Sequence, residues 1–411
     1  MRLPRLLTAE IPEISERWRW LMLPIMLLFA IGYALTVTVD AVFHHNIMVG
    51  PGFVDDGNSG YALALQALAH IEQQYPLQSQ LFFWIFLPLL AFVMVQNAIV
   101  TFRSYTHFER ATGKPYSLRE FALMFALNGI QVLILLVMLF VIGWLYQLSG
   151  GQFSDGWQLV YRITVWCQSA LKHIPTLITL PRPLPLLLSL LLADLAFYGL
   201  HRISHSYRLP WLLLHRSHHM TEHLMMPTTQ PVFVAAPLFL LVAVPLQLLV
   251  GLSTQLFNPE PMIVEALILR LFNHSLGIYS HCEAYYAQMQ HNRWLRRLSA
   301  FFGIGNYHYI HHSAKREHSL INLGNFGWML WDRVFGTFVE PPDVPPPTGL
   351  TNNPPLYPNP LRLALAGVLQ IGYELAHNPL KLWPRILFAD SWYTPPVSQD
   401  FAIRPINNQK K

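Results

Sequence analysis

Long apolar segments are the feature that most constrains how this chain can fold. A membrane-spanning α-helix needs about 20 consecutive apolar residues, because the hydrocarbon core of a bilayer is about 30 Å thick. Four nearly uncharged segments meet this requirement: 21–39, 81–102, 121–146 and 231–251. Composition agrees, since 53% of the 411 residues are hydrophobic and only 12% are charged. The sequence therefore predicts an all-α, multi-pass transmembrane helical bundle.

Two further apolar segments contain charged residues. Segment 183–200 is apolar apart from Asp194, which a membrane helix tolerates near its cytoplasmic end or facing the interior of a bundle. Segment 262–279 contains Glu265 and Arg270 and is expected to be half-buried or interfacial. The first span follows a basic segment but lacks a small-residue cleavage site, so it is expected to be an uncleaved helix.

The charged residues indicate the orientation in the membrane. Basic residues gather between the second and third spans, and acidic residues follow the first: Arg103, Arg110, Lys114 and Arg119 against Asp40, Asp55 and Asp56. The positive-inside rule then places the N-terminus and the histidine-rich segments after residue 200 in the cytoplasm. The basic residues that give the net charge of +5 lie mainly beside apolar spans, so we expect no nucleic-acid partner.

The chain has two cysteines, Cys167 and Cys282, which are too few and too distant in sequence for a disulfide framework or a thiolate metal site.

Histidines form three closely spaced boxes. Of the 19 histidines in the chain, 13 lie between residues 201 and 318. Eight of them follow the patterns HxxxH, HxxHH and HxxHH: His201 and His205; His215, His218 and His219; His308, His311 and His312. On an α-helix, residues three and four apart share a face, so each box could direct two or three imidazoles at one point. A lone HxxxH is also compatible with a surface pair, but two copies of HxxHH favour metal ligands.

The number of imidazoles predicts two metal ions. One divalent ion takes about four to six ligands, so eight or nine histidines form two coordination spheres with room for oxygen or water. Imidazole suits iron, zinc and copper alike. Since the chain lacks both thiolate motifs and the HExxH motif of metalloproteases, the membrane context favours oxidation over hydrolysis.

Five segments resemble the fatty acid hydroxylase / sterol desaturase superfamily. They are DLAFYGLHRISH (194–205), LLLHRSHHM (212–220), FNHS (272–275), GNYHYIHHS (305–313) and NFGWMLWDRVFGTF (325–338), and the resemblance covers about 180–340. Its members are integral membrane di-metal oxygenases that hydroxylate or desaturate fatty acyl, sterol, sphingoid or ether-lipid substrates. The last segment is similar to that of alkylglycerol monooxygenase and its bacterial relatives.

The resemblance implies a role for individual residues. It assigns the metal ligands to the eight box histidines and to His274 in Phe-Asn-His-Ser. His281, two helical turns after His274, could replace or join it, or be a polar residue at the membrane surface. His223 and His318 are expected to support the site or to be solvated. Asp194 is expected to accept an imidazole N–H or to make a helix-packing hydrogen bond. Asn306 and Asn325 could serve in the same way as Asp194. Asp332 and Arg333 could brace the site region or form a surface ion pair.

The resemblance also implies the chemistry. Two iron ions, which zinc could replace, would use O2 and external electrons to hydroxylate a C–H bond of a fatty acyl, sterol or ether lipid. A desaturase with the same site is one alternative, and a non-oxygenase metal-binding membrane protein or transporter is the other. Because no flavin or nicotinamide fingerprint occurs, the electrons must come from a separate redox protein or reductase. The basic residues Arg293, Arg296, Arg297, Lys315 and Arg316 could bind it, or could contact lipid phosphates.

The predicted organisation has three parts. Residues 1–180 form a transmembrane region, 181–340 the catalytic domain with its cytoplasmic histidine-rich cap, and 341–411 a Pro-rich linker and cytoplasmic tail. The tail contains one amphipathic helix near 361–375. The expected location is the bacterial inner membrane, or the endoplasmic reticulum in a eukaryote, with the metal site on the cytoplasmic side.

Overall fold

The structure is a computed structural model, and it describes residues 4–25, 27–28, 76–153, 173–182, 184–224, 252, 255–258 and 263–404. Across these ranges the regular structure is helical, and extended pairing is limited to three isolated bridges. The predicted all-helical class is therefore confirmed for the described part of the chain.

Six helices of ten or more residues carry the architecture of that part. They are α1 (Leu87–Thr112), α2 (Leu118–Leu148), α3 (Leu184–Ser206), α4 (Ile263–Gly277), α5 (Arg293–Phe302) and α6 (Pro360–His377). The shorter α-helices are Arg5–Thr8, Pro76–Leu81, Arg208–Pro210, Tyr286–His291, Asn306–Tyr309, Leu330–Phe335 and Trp383–Phe388. Two π turns are Phe82–Phe86 and Trp211–His215. The 3-10 turns are Glu16–Trp18, Arg216–His219, Ile278–His281, Glu283–Tyr285, Ile310–His312, Arg316–His318 and Leu380–Leu382.

Among the residues that the structure describes, two continuous helical stretches are long and apolar enough to cross a membrane: Phe82–Thr112, which includes α1, and α3. Their outer faces expose large apolar side chains, including Trp84 at 80% and Phe92 at 57%. Such exposure suits lipid and not water. α2 covers the predicted third span. Most of the predicted span 21–39 and all of 231–251 lie outside the described residues.

Local sequence signals set the helix ends. α1 stops at Gly113, whose φ of +66° is readily adopted only without a Cβ. The Ser117 hydroxyl accepts the backbone N–H of Glu120 and so begins α2. Asn359 caps α6 in the same way, and Pro360 follows at the first helical position. Each of these signals lies within a few residues of the helix end that it sets.

Helix pairs enclose the histidine-rich segments. α1 and the π turn before it pack on α4 through Phe86, Val93 and Leu271, and Gln96 and Ser275 exchange hydrogen bonds in the same contact. α2 packs on α6 in a second apolar cluster that also includes Met220, the residue after the second box. The helix predicted near 361–375 is thus present as α6. It lies against the folded body of the protein, although the sequence predicts a tail there.

Candidate metal centre

The first histidine box lies on a regular helix. His201 and His205 occupy the last two turns of α3, one turn apart, and both are buried. Their Nε2 atoms lie 3.1 Å from those of His215 and His311, respectively. α3 therefore carries two imidazoles at the end of a candidate membrane span.

The second and third boxes are not on regular α-helices, which corrects the simple helical reading of their spacing. The second box runs through the π turn Trp211–His215 and the 3-10 turn Arg216–His219. The third follows the short helix Asn306–Tyr309 into the 3-10 turn Ile310–His312. Adjacent residues in helical structure point about 100° apart, so the two histidines of each HH pair face different directions. The second and third boxes each contribute to two different groups of histidines.

Two groups of four histidines result, and in each the potential ligand atoms lie within 4.8 Å of one another. The first cluster contains His201, His205, His215 and His311, and the second contains His218, His281, His308 and His312. His219 lies beside both clusters. Its Nε2 is 3.1 Å from that of His215, and its ring stacks on His312 with centroids 4.3 Å apart. All eight box histidines are therefore brought together.

His281 completes the second cluster. It is buried, with its Nε2 3.1 Å from that of His312 and 3.4 Å from that of His218. The backbone of His274 lies in α4, while its side chain is outside the described part. Because α4 ends at Gly277 and a 3-10 turn follows, counting helical turns from His274 gives no information on where His281 points. The structure places His281 among the potential ligands of the second cluster.

The other two histidines considered lie apart from both clusters. The ring of His223 packs edge-on against Phe108, with centroids 4.8 Å apart. His318 is half-buried in the 3-10 turn Arg316–His318. Within the described part of the chain, neither belongs to a group of potential ligands.

Backbone carbonyls orient two imidazoles of the first cluster. Nδ1 of His201 lies 2.8 Å from the carbonyl oxygen of Leu323, and Nδ1 of His311 lies 3.0 Å from that of Ile321. A carbonyl only accepts, so each Nδ1 carries the proton and each Nε2 presents a lone pair. These lone pairs converge in a buried space, where a cation would satisfy both. The arrangement therefore fits a metal ion.

Two carboxylates hold the loop that supplies these carbonyls. Asp332, completely buried, accepts the backbone N–H groups of Leu323 and Gly324, each at 2.7 Å. Asp194 accepts the N–H of Asn325 at 2.7 Å instead of an imidazole N–H. Asp194 thus acts on the loop and not directly on a ligand. The alternative of a surface ion pair for Asp332 and Arg333 is wrong, since Asp332 is buried and Arg333 Nε donates to the carbonyl oxygen of Trp328.

Asn322 is a supporting residue that sequence reasoning missed. It adopts φ of +51°, and its side chain bonds the carbonyls of Tyr307 and Val339 and the N–H of Val339. The tolerance of asparagine for left-handed backbone is the only signal that could have drawn attention to it. Asn306 instead donates to the Oε1 of Gln290. Asn325 contributes its backbone N–H.

Burial keeps the clustered histidines outside the candidate span neutral. It lowers the pKa of His281 to about 4, against the opposing effect of a hydrogen bond with the backbone of Gly277. Burial, with repulsion from neighbouring imidazoles second, holds the pKa well below 6.5 for His215, His218, His219, His308, His311 and His312. Neutral imidazole is the form that binds a metal ion, so these side chains are ready ligands at pH 7.

Comparison with known protein families matches part of this chain. Residues 186–337 match the family model described as fatty acid hydroxylase, and this range includes all eight clustered histidines and His219. Neither the comparison with curated proteins nor that with solved structures returned a significant match. The family match and the clusters confirm the resemblance that the five sequence segments indicate. α6 and the residues after it lie outside the matched range.

Proposed function

Because residues 186–337 match the fatty acid hydroxylase family and carry both histidine clusters, we propose that this protein is a membrane-bound di-iron oxygenase that hydroxylates a C–H bond of a lipid. The observation that carries the proposal is the pair of adjacent, all-imidazole clusters at the end of an apolar helix. The overall reaction joins one oxygen atom of O2 to the substrate and reduces the other to water with two electrons and two protons.

The proposed ligand sets follow the two clusters. One iron ion would be held by His201, His205, His215 and His311, and the other by His218, His281, His308 and His312. His219 lies where it could bind either ion. Four imidazoles leave open positions on an ion that takes up to about six ligands. When bound, the ions supply the redox chemistry of O2.

The polypeptide contributes position, charge and exclusion of water. The carbonyls of Leu323 and Ile321 fix two imidazoles with their lone pairs inward. The clustered imidazoles outside the candidate span are neutral at pH 7, so the cage favours a cation without proton release from a protonated ligand. Burial of the clusters limits access of bulk water, which protects a reactive site from unproductive reactions.

The position of the site supports a lipid substrate. α3 exposes the apolar side chains of Leu188, Leu192 and Phe197 along its length and carries His201 and His205 at its end. A lipid chain in the bilayer could therefore reach the clusters along the same helix. The positive-inside pattern supports a cytoplasmic location for this end.

Desaturation is the second candidate, because the same clusters would serve it. The product separates the two reactions, since hydroxylation adds one oxygen atom and desaturation removes two hydrogen atoms. A transporter would instead distribute its ligands through the depth of the bilayer. Here the ligands gather at one end of α3.

The electrons are proposed to come from a separate redox protein. Arg296 is paired with Glu340, whereas Arg293 and Arg297 lie over the ring of Trp294, which is 64% exposed. This surface of α5 offers positive charge to an acidic partner. Its alternative role is contact with lipid phosphates.

Metal analysis tests the proposed function. Protein purified without oxygen from an iron-replete host is expected to hold about two iron ions per chain. Less than about one iron together with stoichiometric zinc would argue against an oxygenase. Lipid mass spectrometry should then compare cells that express the wild type, His311→Ala or His223→Ala. Only His311→Ala is expected to abolish the new lipid, because His223 lies outside both clusters.

A further inference from the structure

The connection between the first two histidine boxes has little regular structure of its own. Residues 206–216, here called the box connection, contain a three-residue helix, Arg208–Pro210, and the π turn Trp211–His215. Such short elements cannot hold a side chain in place without tertiary contacts. The placement of His215 and His219 therefore depends on what packs against the box connection.

A buried ion pair holds the start of the box connection. Arg208 donates to both carboxylate oxygens of Glu374 on α6, at 2.8 and 2.9 Å, and the exposed fractions of the two side chains are 3% and 0%. Glu374 also accepts hydrogen bonds from Gln370 and Ser398. A bidentate pair of this kind fixes orientation as well as distance.

A second ion pair holds the end of the box connection, beside the metal ligands. Arg216 directly follows His215 and donates to both carboxylate oxygens of Asp400 and to the Oε1 of Gln370. The Asp400 carboxylate in turn accepts the backbone N–H of Ala402. Any shift of Arg216 is transmitted to His215 through one peptide bond.

Backbone contacts connect the same two parts of the chain. Arg208 N donates to the carbonyl of Ala389 at 3.0 Å, and Ser391 N donates to that of Ser206 at 2.9 Å. The α-carbon of Gly367 lies so near the carbonyl oxygen of Leu212 that a Cβ would overlap it. The box connection is therefore held along its length by residues outside the range that matches the family.

We infer that the C-terminal segment, residues 360–404, is a working part of the metal centre, in which Glu374 and Asp400 are positioning residues for the second histidine box. They act through Arg208 and Arg216 and touch no ligand themselves. The inference rests on the proposed function, since it requires that the clusters bind metal. It assigns a role in metal binding to a segment in which the sequence alone predicts a linker and a tail.

Cobalt(II) titration of the full-length, metal-free protein tests this role. Co²⁺ accepts imidazole ligands, and its visible absorption reports the coordination geometry. Asp400→Ala and Glu374→Gln are expected to weaken Co²⁺ binding by about 10- to 100-fold and to change the spectrum, as losses of residues that orient ligands do. Asp400→Asn keeps an oxygen acceptor for Arg216 and should restore part of the affinity.

Glu10→Ala is the matched control. The side chain of Glu10 is 31% exposed, close to the 28% of Asp400. Like Asp400, Glu10 forms ion pairs with arginine, in its case with Arg119 and Arg404. Neither arginine lies beside a clustered histidine, so Co²⁺ affinity and spectrum should equal those of the wild type. The control loosens the end of the C-terminal segment without touching the box connection.

The outcomes separate the inference from the proposed function. If the wild type binds Co²⁺ and the folded Asp400 variants bind it with unchanged affinity and spectrum, the inference is overturned, even where the variants unfold more easily. If the wild type itself binds neither Co²⁺ nor iron, the proposed function fails first. Glu374 is the more buried of the two carboxylates, so the Glu374→Gln result is used only if the helical circular dichroism of this variant matches that of the wild type. If it does not match, the Asp400→Ala result alone tests the inference.

Discussion

Nδ1 of His201 lies 2.8 Å from the carbonyl oxygen of Leu323, and this contact joins a histidine on α3 to the loop that Asp332 holds. The carboxylate, the backbone amide, the carbonyl and the imidazole form one chain of hydrogen bonds. The orientation of the His201 imidazole therefore depends on Asp332, which contacts no clustered histidine. Substitutions at such supporting residues should change stability and metal content.

Asp332→Asn should weaken the first cluster. The amide has one acceptor oxygen, so the N–H of Leu323 or of Gly324 would face an NH2 group in a buried site. A buried donor without an acceptor costs about 1–3 kcal/mol in unfolding free energy. Denaturant unfolding of the metal-free protein and iron counting should both show a loss. Glu13→Gln, at an 80% exposed carboxylate, should show neither.

Asn322→Ala and Asn322→Gly should separate backbone strain from lost hydrogen bonds. Both lose the contacts with Tyr307 and Val339, but only alanine is strained at φ of +51°. Alanine should therefore destabilise more than glycine, by about 1–2 kcal/mol. Equal unfolding free energies for the two variants would contradict the left-handed backbone at this position.

His281→Ala should lower metal content, because the second cluster would keep only three of its four imidazoles. We expect about a 10-fold or greater loss of affinity at that site, measured by competitive chelation. His223→Ala serves as the control, since its ring packs on Phe108. If His281→Ala kept its full metal content and His274→Ala lost metal, His274 would be the ligand, as the family resemblance implies, and His281 would not.

Stability of the metal-free protein should fall in acid. The pKa of His281 drops from 6.5 to about 4 on folding, so between these values the unfolded state binds a proton that the folded state does not. Unfolding free energy is then level above pH 6.5 and decreases as the pH falls towards 4, by at most about 1.4 kcal/mol per pH unit for each such histidine. Denaturant unfolding at several pH values measures the slope. A midpoint independent of pH across this window would contradict the buried neutral state.

Gly367→Ala and Gly372→Ala, on the same helix, should have opposite effects. A Cβ at position 367 meets the carbonyl of Leu212, whereas one at 372 meets nothing within 4 Å. Gly372→Ala should stabilise by up to about 1 kcal/mol through helix propensity, and Gly367→Ala should destabilise and also reduce metal content. Thermal unfolding and metal analysis compare them directly. Equal behaviour would indicate that α6 does not pack closely on the box connection.

Much of this protein is predictable from its sequence, for local reasons. Apolar length predicts helices such as α3, and an amphipathic pattern predicts a helix near 361–375, where α6 lies, because both signals depend on neighbouring residues only. The eight box histidines are identified as ligand candidates by spacing, and the family resemblance adds the chemistry.

Only the tertiary structure decided how those histidines are divided between two clusters and that His281 lies among them. The division depends on π and 3-10 turns, whose stability comes from packing and not from propensity. Likewise, no local pattern in residues 360–404 indicates contact with Arg208 or Arg216, since both pairs join residues more than 150 positions apart. Sequence patterns report what one segment can form. Which distant charge satisfies a buried arginine is determined by the assembled core.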